Sequence, residues 1–395
     1  MLTRPPPSLY FLVVRRMSII APKFVMLDTA TLGHIAAEPT APLSKELLAI
    51  LRTGDWLPYL TWHHLEELIS HGNEDVFRSR VDLLSRLPHV AYLQLDGHQP
   101  NEPYLASAVD LRSYEIRFLA AHPGAAHQDV IDAIWPFIRG GFVSGQQFVL
   151  ANRDWWHIYR RDYAEATRLR KEQVANLTHF SPTNPKERLP PEGQHETFLS
   201  DEASASLRER MAATLAASLA QRGDVRHLNA TVLADDFAAA VFDMSSQLRS
   251  AGPCLTDAWL HRAGVSRDRL PPSPTVEDME YEAAFVQQMH VITDGFSGSQ
   301  VQSAARLRKE QIPSWVVWEQ VDRRMKQLPR AEIGNVNDKH IVGFGLFVDV
   351  LNVDKRVAEC LRQAGGHHAL IHQVYLRVPM GRGLAGLIER LKCSS

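Results

Sequence analysis

Short unbroken apolar runs near both ends of the chain alternate with stretches in which apolar residues recur every three or four positions, the pattern of an α/β protein. The first run, Lys23-Phe24-Val25-Met26-Leu27-Asp28-Thr29, reads as a buried parallel strand that delivers a carboxylate at its C-terminal edge. Helical periodicity follows from Leu43 to Arg52, closed by Thr53-Gly54-Asp55, and from Thr61 to His71, closed by Gly72-Asn73. It resumes from Glu74 to Arg86, and after Pro88 the run Val90-Ala91-Tyr92-Leu93 reads as a second buried strand. The predicted order is βαααβ, which needs long crossovers and therefore parallel strands.

From about Asp96 to Pro329 the pattern is helical, with amphipathic segments at 105–121, 127–139, 203–221, 228–250 and 276–290 and no strand of comparable strength. Proline-rich breaks fall at Ser181 to Gly193 and at Pro271-Pro272-Ser273-Pro274. Near the end the sheet pattern returns. A helix opens at Asn337-Asp338-Lys339-His340 and runs through Gly345, then Phe347 to Asp354 alternates into a strand that again ends in an acid. A helix from Lys355 to Ala364, a strand from His368 to Leu376 and a short helix over 383–392 complete the series. The chain thus divides into a flexible leader at 1–20, strand-bearing parts at 21–96 and 331–395, and a helical middle at 97–330.

The composition narrows the classes. With 395 residues, 45% hydrophobic and 22% charged, the chain carries enough apolar surface for one large core or two ordinary ones. A formal charge of -2 excludes an overall basic field, so any binding of nucleic acid must be local. The three cysteines, Cys254, Cys360 and Cys393, are too few and too scattered for a disulfide framework or a metal cluster, which fits a reducing, cytoplasmic setting. The early apolar run Leu9 to Val14 is far short of the ~20 residues that cross a bilayer. No membrane partner is expected.

Four acids fall at predicted element boundaries: Asp28 after the first strand, Glu67 on the second helix, Asp338 at a helix start and Asp354 after a late strand. If both strands are central and parallel, their C-terminal ends converge on one cleft. Crowded carboxylates repel unless a divalent cation neutralises them, and hard oxygen donors suit Mg²⁺ or Mn²⁺. Such a cation activates water and stabilises charge on a phosphodiester as it is cut. Asp349 lies five residues before Asp354; alternation turns it away from the cleft, and a bulge would turn it in as a further ligand. Glu66 competes with Glu67, because adjacent helix positions point about 100° apart. Thr29 is placed to hydrogen-bond a metal-bound water or to face solvent in a turn; His340 and Lys355 are phosphate contacts or exposed helix positions.

These same residues resemble the PIN-like domain nucleases. Phe24-Val25-Met26-Leu27-Asp28-Thr29 is similar to that family's opening strand and first acid, and Thr61-Trp62-His63-His64-Leu65-Glu66-Glu67-Leu68 to its second helix, where the acid precedes a leucine. Asp338-Lys339-His340 and Val350-Leu351-Asn352-Val353-Asp354-Lys355 resemble its later helix acid and closing strand. The separations, 39 residues from Asp28 to Glu67 and 16 from Asp338 to Asp354, agree with the family pattern. The resemblance covers 22–95 and 330–378, and the separation of 245 positions from Leu93 to Asp338 departs from it. It implies a PIN-like, Rossmann-like parallel sheet with flanking helices, interrupted by a large helical insertion. It also implies a Mg²⁺- or Mn²⁺-dependent nuclease, an endoribonuclease before a deoxyribonuclease, with a toxin or defence role. Asp28, Glu67, Asp338 and Asp354 would be catalytic metal ligands; RNA would be the partner, with a regulatory protein or a second copy left open. A silent PIN-like scaffold and a metal-dependent nucleotide phosphatase are the alternatives.

Two further motifs stand apart. Arg153-Asp154-Trp155-Trp156-His157-Ile158-Tyr159-Arg160-Arg161 interleaves aromatic and basic residues, either to grip a nucleic acid or to anchor a helix on a core with arginines over its edge. Arg-Leu-Arg-Lys-Glu-Gln occurs at 168–173 and again at 306–311, as two exposed basic helix faces, a diverged duplication or paired nucleic-acid contacts.

Overall fold

The structure, a computed structural model, describes residues 22–53, 55–69, 71–93, 105–138, 141–151, 153, 156, 160, 186–189, 201–222, 231–232, 234–236, 238–239, 243, 255–327, 339–380 and 383–393. Three short parallel strands form its centre: β1 (Lys23–Met26), β2 (Trp56–Pro58) and β5 (Val350–Leu351), in the order β2-β1-β5. Val25 pairs with Pro58 on one side and with Val350 on the other. A single parallel bridge from Tyr59 to Ala91 sets β3 (Val90–Tyr92) beyond β2, and β3 pairs antiparallel with β4 (Gly141–Val143).

Between β1 and β2 lie α1 (Thr29–Ala37) and α2 (Pro42–Arg52); between β2 and β3 lie α3 (Trp62–Ile69) and α4 (Glu74–Arg86). The middle of the chain contributes α5 (Ala108–Ala121), α6 (His127–Ile138), α7 (Asp201–Arg222), α8 (Leu255–Arg262), α9 (Val276–Thr293), α10 (Gly298–Ala304) and α11 (Pro313–Lys326). After β5 come α12 (Lys355–Gly365), α13 (Ala369–Tyr375) and α14 (Gly383–Cys393). Polar caps fix several starts. Asn73 Oδ1 accepts from Asp75 N and Val76 N, and Ser107 and Thr275 form capping boxes with Asp110 and Asp278.

Strand alternation sorts the core into two layers, because successive side chains leave opposite faces of a sheet. Val25, Leu27, Trp56, Leu60, Val90 and Val350 join the apolar faces of α1, α2, α3, α4 and α14. Phe24, Met26, Leu57, Tyr59, Ala91 and Leu351 join α5, α6, α9, α11, α12 and α13. Both faces are covered, which explains why the strands read as unbroken apolar runs. The helical middle therefore supplies much of the second layer against the sheet. A smaller cluster of Leu260, Val265, Met279, Ala283 and Val286 lies further out.

Several elements differ from the sequence expectation. The apolar run at His368–Leu376 forms α13 and not a strand; a short apolar run has no periodicity strong enough to separate the two, and here it packs Leu370, Ile371 and Val374 on the second layer. The strand expected over Phe347–Asp354 shrinks to Val350–Leu351, preceded by a 3-10 turn over Val342–Leu346 that replaces the end of the expected helix. The strands β2 and β4 and the helix α1 were not expected. Of the helix expected at 228–250, most positions lie outside the described residues. No helix among the described residues is long and apolar enough to cross a membrane.

Candidate functional site at the sheet edge

The strand order changes direction at β1, since the chain moves to β2 on one side and returns as β5 on the other. Open α/β sheets bind ligands in the crevice outside the C-terminal ends of the strands at such a point. Asp28 stands two residues beyond the end of β1 and caps α1, its Oδ1 accepting Ala30 N at 3.1 Å. Asp354 follows β5 and caps α12 in the same way, its Oδ1 accepting Val357 N at 2.6 Å. Two helix N-termini, each a partial positive charge, thus open on one crevice.

The two acids lie within each other's field. Burial raises the pKa of Asp28 above the ordinary carboxylate value, the Ala30 N–H works against that rise, and the charge of Asp354 adds to it. Among the described residues, Oδ2 of each acid has no protein donor. Asn352, which is buried, holds the walls together: its Oδ1 accepts Asp28 N at 3.3 Å and Thr31 Oγ1 at 2.8 Å, while its own N–H donates to Met26 O at 2.8 Å.

Thr29 connects the first acid to the helix acid. Its hydroxyl lies 3.5 Å from Asp28 Oδ1 and donates to Glu67 Oε2. Glu67 is therefore the α3 acid that reaches the edge, whereas Glu66, the next position round the helix, is buried. One turn earlier His64 is fully buried; its Nδ1 accepts Thr61 N at 3.1 Å, and desolvation lowers its pKa to about 4, so it stays neutral. Arg80 of α4 donates from Nη1 to the carbonyls of Glu67 at 3.0 Å and Leu68 at 3.2 Å, closing the last turn of α3.

The remaining candidates do not join this group in the same way. Asp338 falls outside the described residues. Asp349 sits at the opposite end of the sheet, where its Oδ2 accepts Phe24 N at 2.7 Å and its N–H donates to Phe24 O at 2.9 Å. Four residues of extended chain, about 13 Å at 3.3 Å per residue, separate that end from Asp28, so the bulge that would turn Asp349 into the cleft does not occur. His340 is stacked between His63, with ring centroids 4.9 Å apart, and Trp318, at 6.1 Å. Lys355 is exposed on the first turn of α12, in the field of Glu359.

The two side motifs resolve as packing where they are described. Trp156 is buried against Phe148, and Arg160 pairs with Glu74 and lies over the Phe77 ring at 4.5 Å. In the second hexapeptide, residues 309–311 form a 3-10 turn, with Leu307 and Lys309 buried; it is not an exposed helix face. Its first copy lies outside the described residues.

For a divalent cation the donor chemistry is suitable: hard carboxylate oxygens, two of them without a protein donor, beside a third acid held through Thr29. Among the described residues, however, no three His, Cys, Asp or Glu side chains are grouped closely enough to hold a metal ion by themselves. No protein-family model, curated protein or solved structure matches the chain.

Proposed function

We propose that this chain is a Mg²⁺- or Mn²⁺-dependent nuclease of PIN-like type, an endoribonuclease acting on single-stranded RNA in the cytoplasm, with 97–330 as a helical elaboration of the nuclease fold. The observation that supports this most is the pair Asp28 and Asp354 on either side of the point where the strand order reverses, each with an open Oδ2, the charge of Asp354 adding to the cost of ionising Asp28. Like charges held together without a cation are costly to maintain, and a ligand of opposite charge removes the cost. Asp28 and Asp354 would hold the cation, with Glu67 and Asp338 completing its shell.

A cation held by Asp28 and Asp354 would supply an activated water and Lewis-acid polarisation of the phosphodiester. The chain's own groups orient the rest. Thr29 holds Glu67 toward the crevice, Asn352 fixes the Asp28 backbone, and the N-termini of α1 and α12 favour a phosphate between them. One observation favours a non-catalytic binding module instead, namely that the described acids do not form a ready-made group of three.

Cleavage of labelled single-stranded RNA and DNA, by wild type and Asp354→Asn with Mn²⁺, Mg²⁺ or EDTA, tests the reading. The expected result is metal-dependent cutting of RNA that EDTA and the substitution both remove. Absence of cutting together with absence of Mn²⁺ binding in calorimetry would leave the binding module. Release of phosphate from mononucleotides, with polymers untouched, would make the protein a phosphatase.

A further inference from the structure

Arg80 has a bonding pattern that its clamp on α3 does not use up. Only Nη1 is engaged, on the Glu67 and Leu68 carbonyls; Nε is buried without a partner, and Nη2 carries no hydrogen bond among the described residues yet is not sealed from solvent. No carboxylate among the described residues lies within ion-pair distance of this half-buried guanidinium. Burial lowers its pKa, and the more distant charge of Glu67 only partly offsets this. A desolvated cation without a contacting anion is a standing cost unless a ligand supplies the anion.

Gly33 of α1 faces the guanidinium. This residue is one turn along α1 from Thr29, and a Cβ built there would stand 3.4 Å from Nη2. A glycine in a helix interior is disfavoured by about 1 kcal/mol relative to alanine, and here it leaves the approach to Nη2 uncovered. Nη2 therefore lies beside α1, one turn from Thr29.

We propose that Arg80 binds a backbone phosphate of a single-stranded nucleic acid through Nη2, on the α1/α3 side of the crevice. The assignment rests on the nuclease reading above. It adds a substrate-binding residue that no acid motif marks, and it predicts that the strand enters between α1 and α3.

The test is fluorescence anisotropy of a 2′-O-methyl single-stranded RNA, which resists cleavage, bound to wild type and Arg80→Gln across a salt series. Losing one hydrogen bond to a charged group weakens binding by about tenfold. The slope of log affinity against log salt should shrink by about 0.7, the share of one phosphate on a single strand. Arg80→Lys should restore most of the slope, which a purely structural clamp would not require. An unchanged slope in folded Arg80→Gln would overturn the assignment alone, while absence of oligonucleotide binding by wild type would overturn it together with the nuclease reading. If Arg80→Gln does not fold, Gly33→Ala decides: weaker binding at an undiminished melting temperature supports the phosphate contact, and unchanged binding overturns it.

Discussion

Inside the helical layer, Glu319 receives both a lysine and an arginine: Lys309 Nζ at 2.7 and 2.8 Å, Arg323 Nε at 3.0 Å and Nη2 at 2.8 Å, with Trp315 Nε1 at 2.9 Å. Asp322 receives Lys339 Nζ at 2.7 Å and the Tyr281 hydroxyl at 2.5 Å; burial alone would raise its pKa, but these partners outweigh it and hold the carboxyl below its ordinary value. At the sheet edge, among the described residues, Asp28 has the Ala30 N–H and the Thr29 hydroxyl at 3.5 Å, Asp354 has the Val357 N–H, and Oδ2 of each has no protein donor. The same side-chain chemistry is thus neutralised from within in one region and left open in the other. Internally matched charges fix how helices pack; unmatched ones at a strand-order reversal are what the proposed function would use.

On the proposed nuclease reading, activity should separate the two regions most sharply. Asp28→Asn is expected to reduce RNA cleavage by about 10²–10³-fold, the scale of removing one group aimed at developing charge, without loss of thermal stability. Asparagine caps a helix about as well as aspartate, and the substitution relieves repulsion with Asp354, so a lower melting temperature would contradict the account of an open acid pair. Glu319→Gln should do the reverse, costing about 3 kcal/mol in urea unfolding by leaving buried Lys309 and half-buried Arg323 short of a counter-charge. A stability change near zero would show that this network is not what holds α11 to its neighbours.

Glu115 offers a titration within the helical layer. It is fully buried and accepts Ser314 N at 2.9 Å and the Ser314 hydroxyl; burial raises its pKa from 4.5 to about 7, against the lowering effects of those bonds and of Arg112. A carboxyl with a raised folded-state pKa holds its proton longer in the native state than in the unfolded chain. Its contribution is therefore fully present below 4.5 and lost as pH rises through about 7. Melting temperatures of wild type and Glu115→Gln should diverge as pH rises across that window, with wild type falling relative to the variant; parallel curves would refute the raised pKa. The smallest effect belongs to Lys355→Ala, an exposed residue beside Glu359, whose loss should change stability by less than about 0.5 kcal/mol in the same unfolding measurement.

The parts of the fold that could be read in advance are those with local signatures. The strand Lys23–Met26 is a buried apolar run, and Glu74–Arg86 carries an N-cap, first-turn acids and an apolar stripe, so both stand where the pattern puts them. The three residues of β2 include Pro58 and give no period, and β5 is only two residues long. Asn352 and Arg80 were missed for a different reason. Asn352 acts through partners more than 320 positions away, and Arg80 through the carbonyls of a neighbouring helix. Neither leaves a trace in spacing beyond a polar residue near a strand end and a basic one on an amphipathic helix.

The bond from Asp28 N to Asn352 Oδ1 closes a loop of 324 residues. At about 5–20 residues per second, a ribosome needs about 15–65 s to pass from one wall of the crevice to the other. During that interval the first acid exists without its counterpart, and the pairing that brings them together is among the longest-range contacts in the chain, the kind that forms late and slows folding. The crevice is consequently assembled late relative to its first wall: in a nascent chain that edge has one side only until synthesis has passed Asn352. Two fragments divided anywhere between β4 and β5 would each carry one wall alone, and only their reassociation would form the edge.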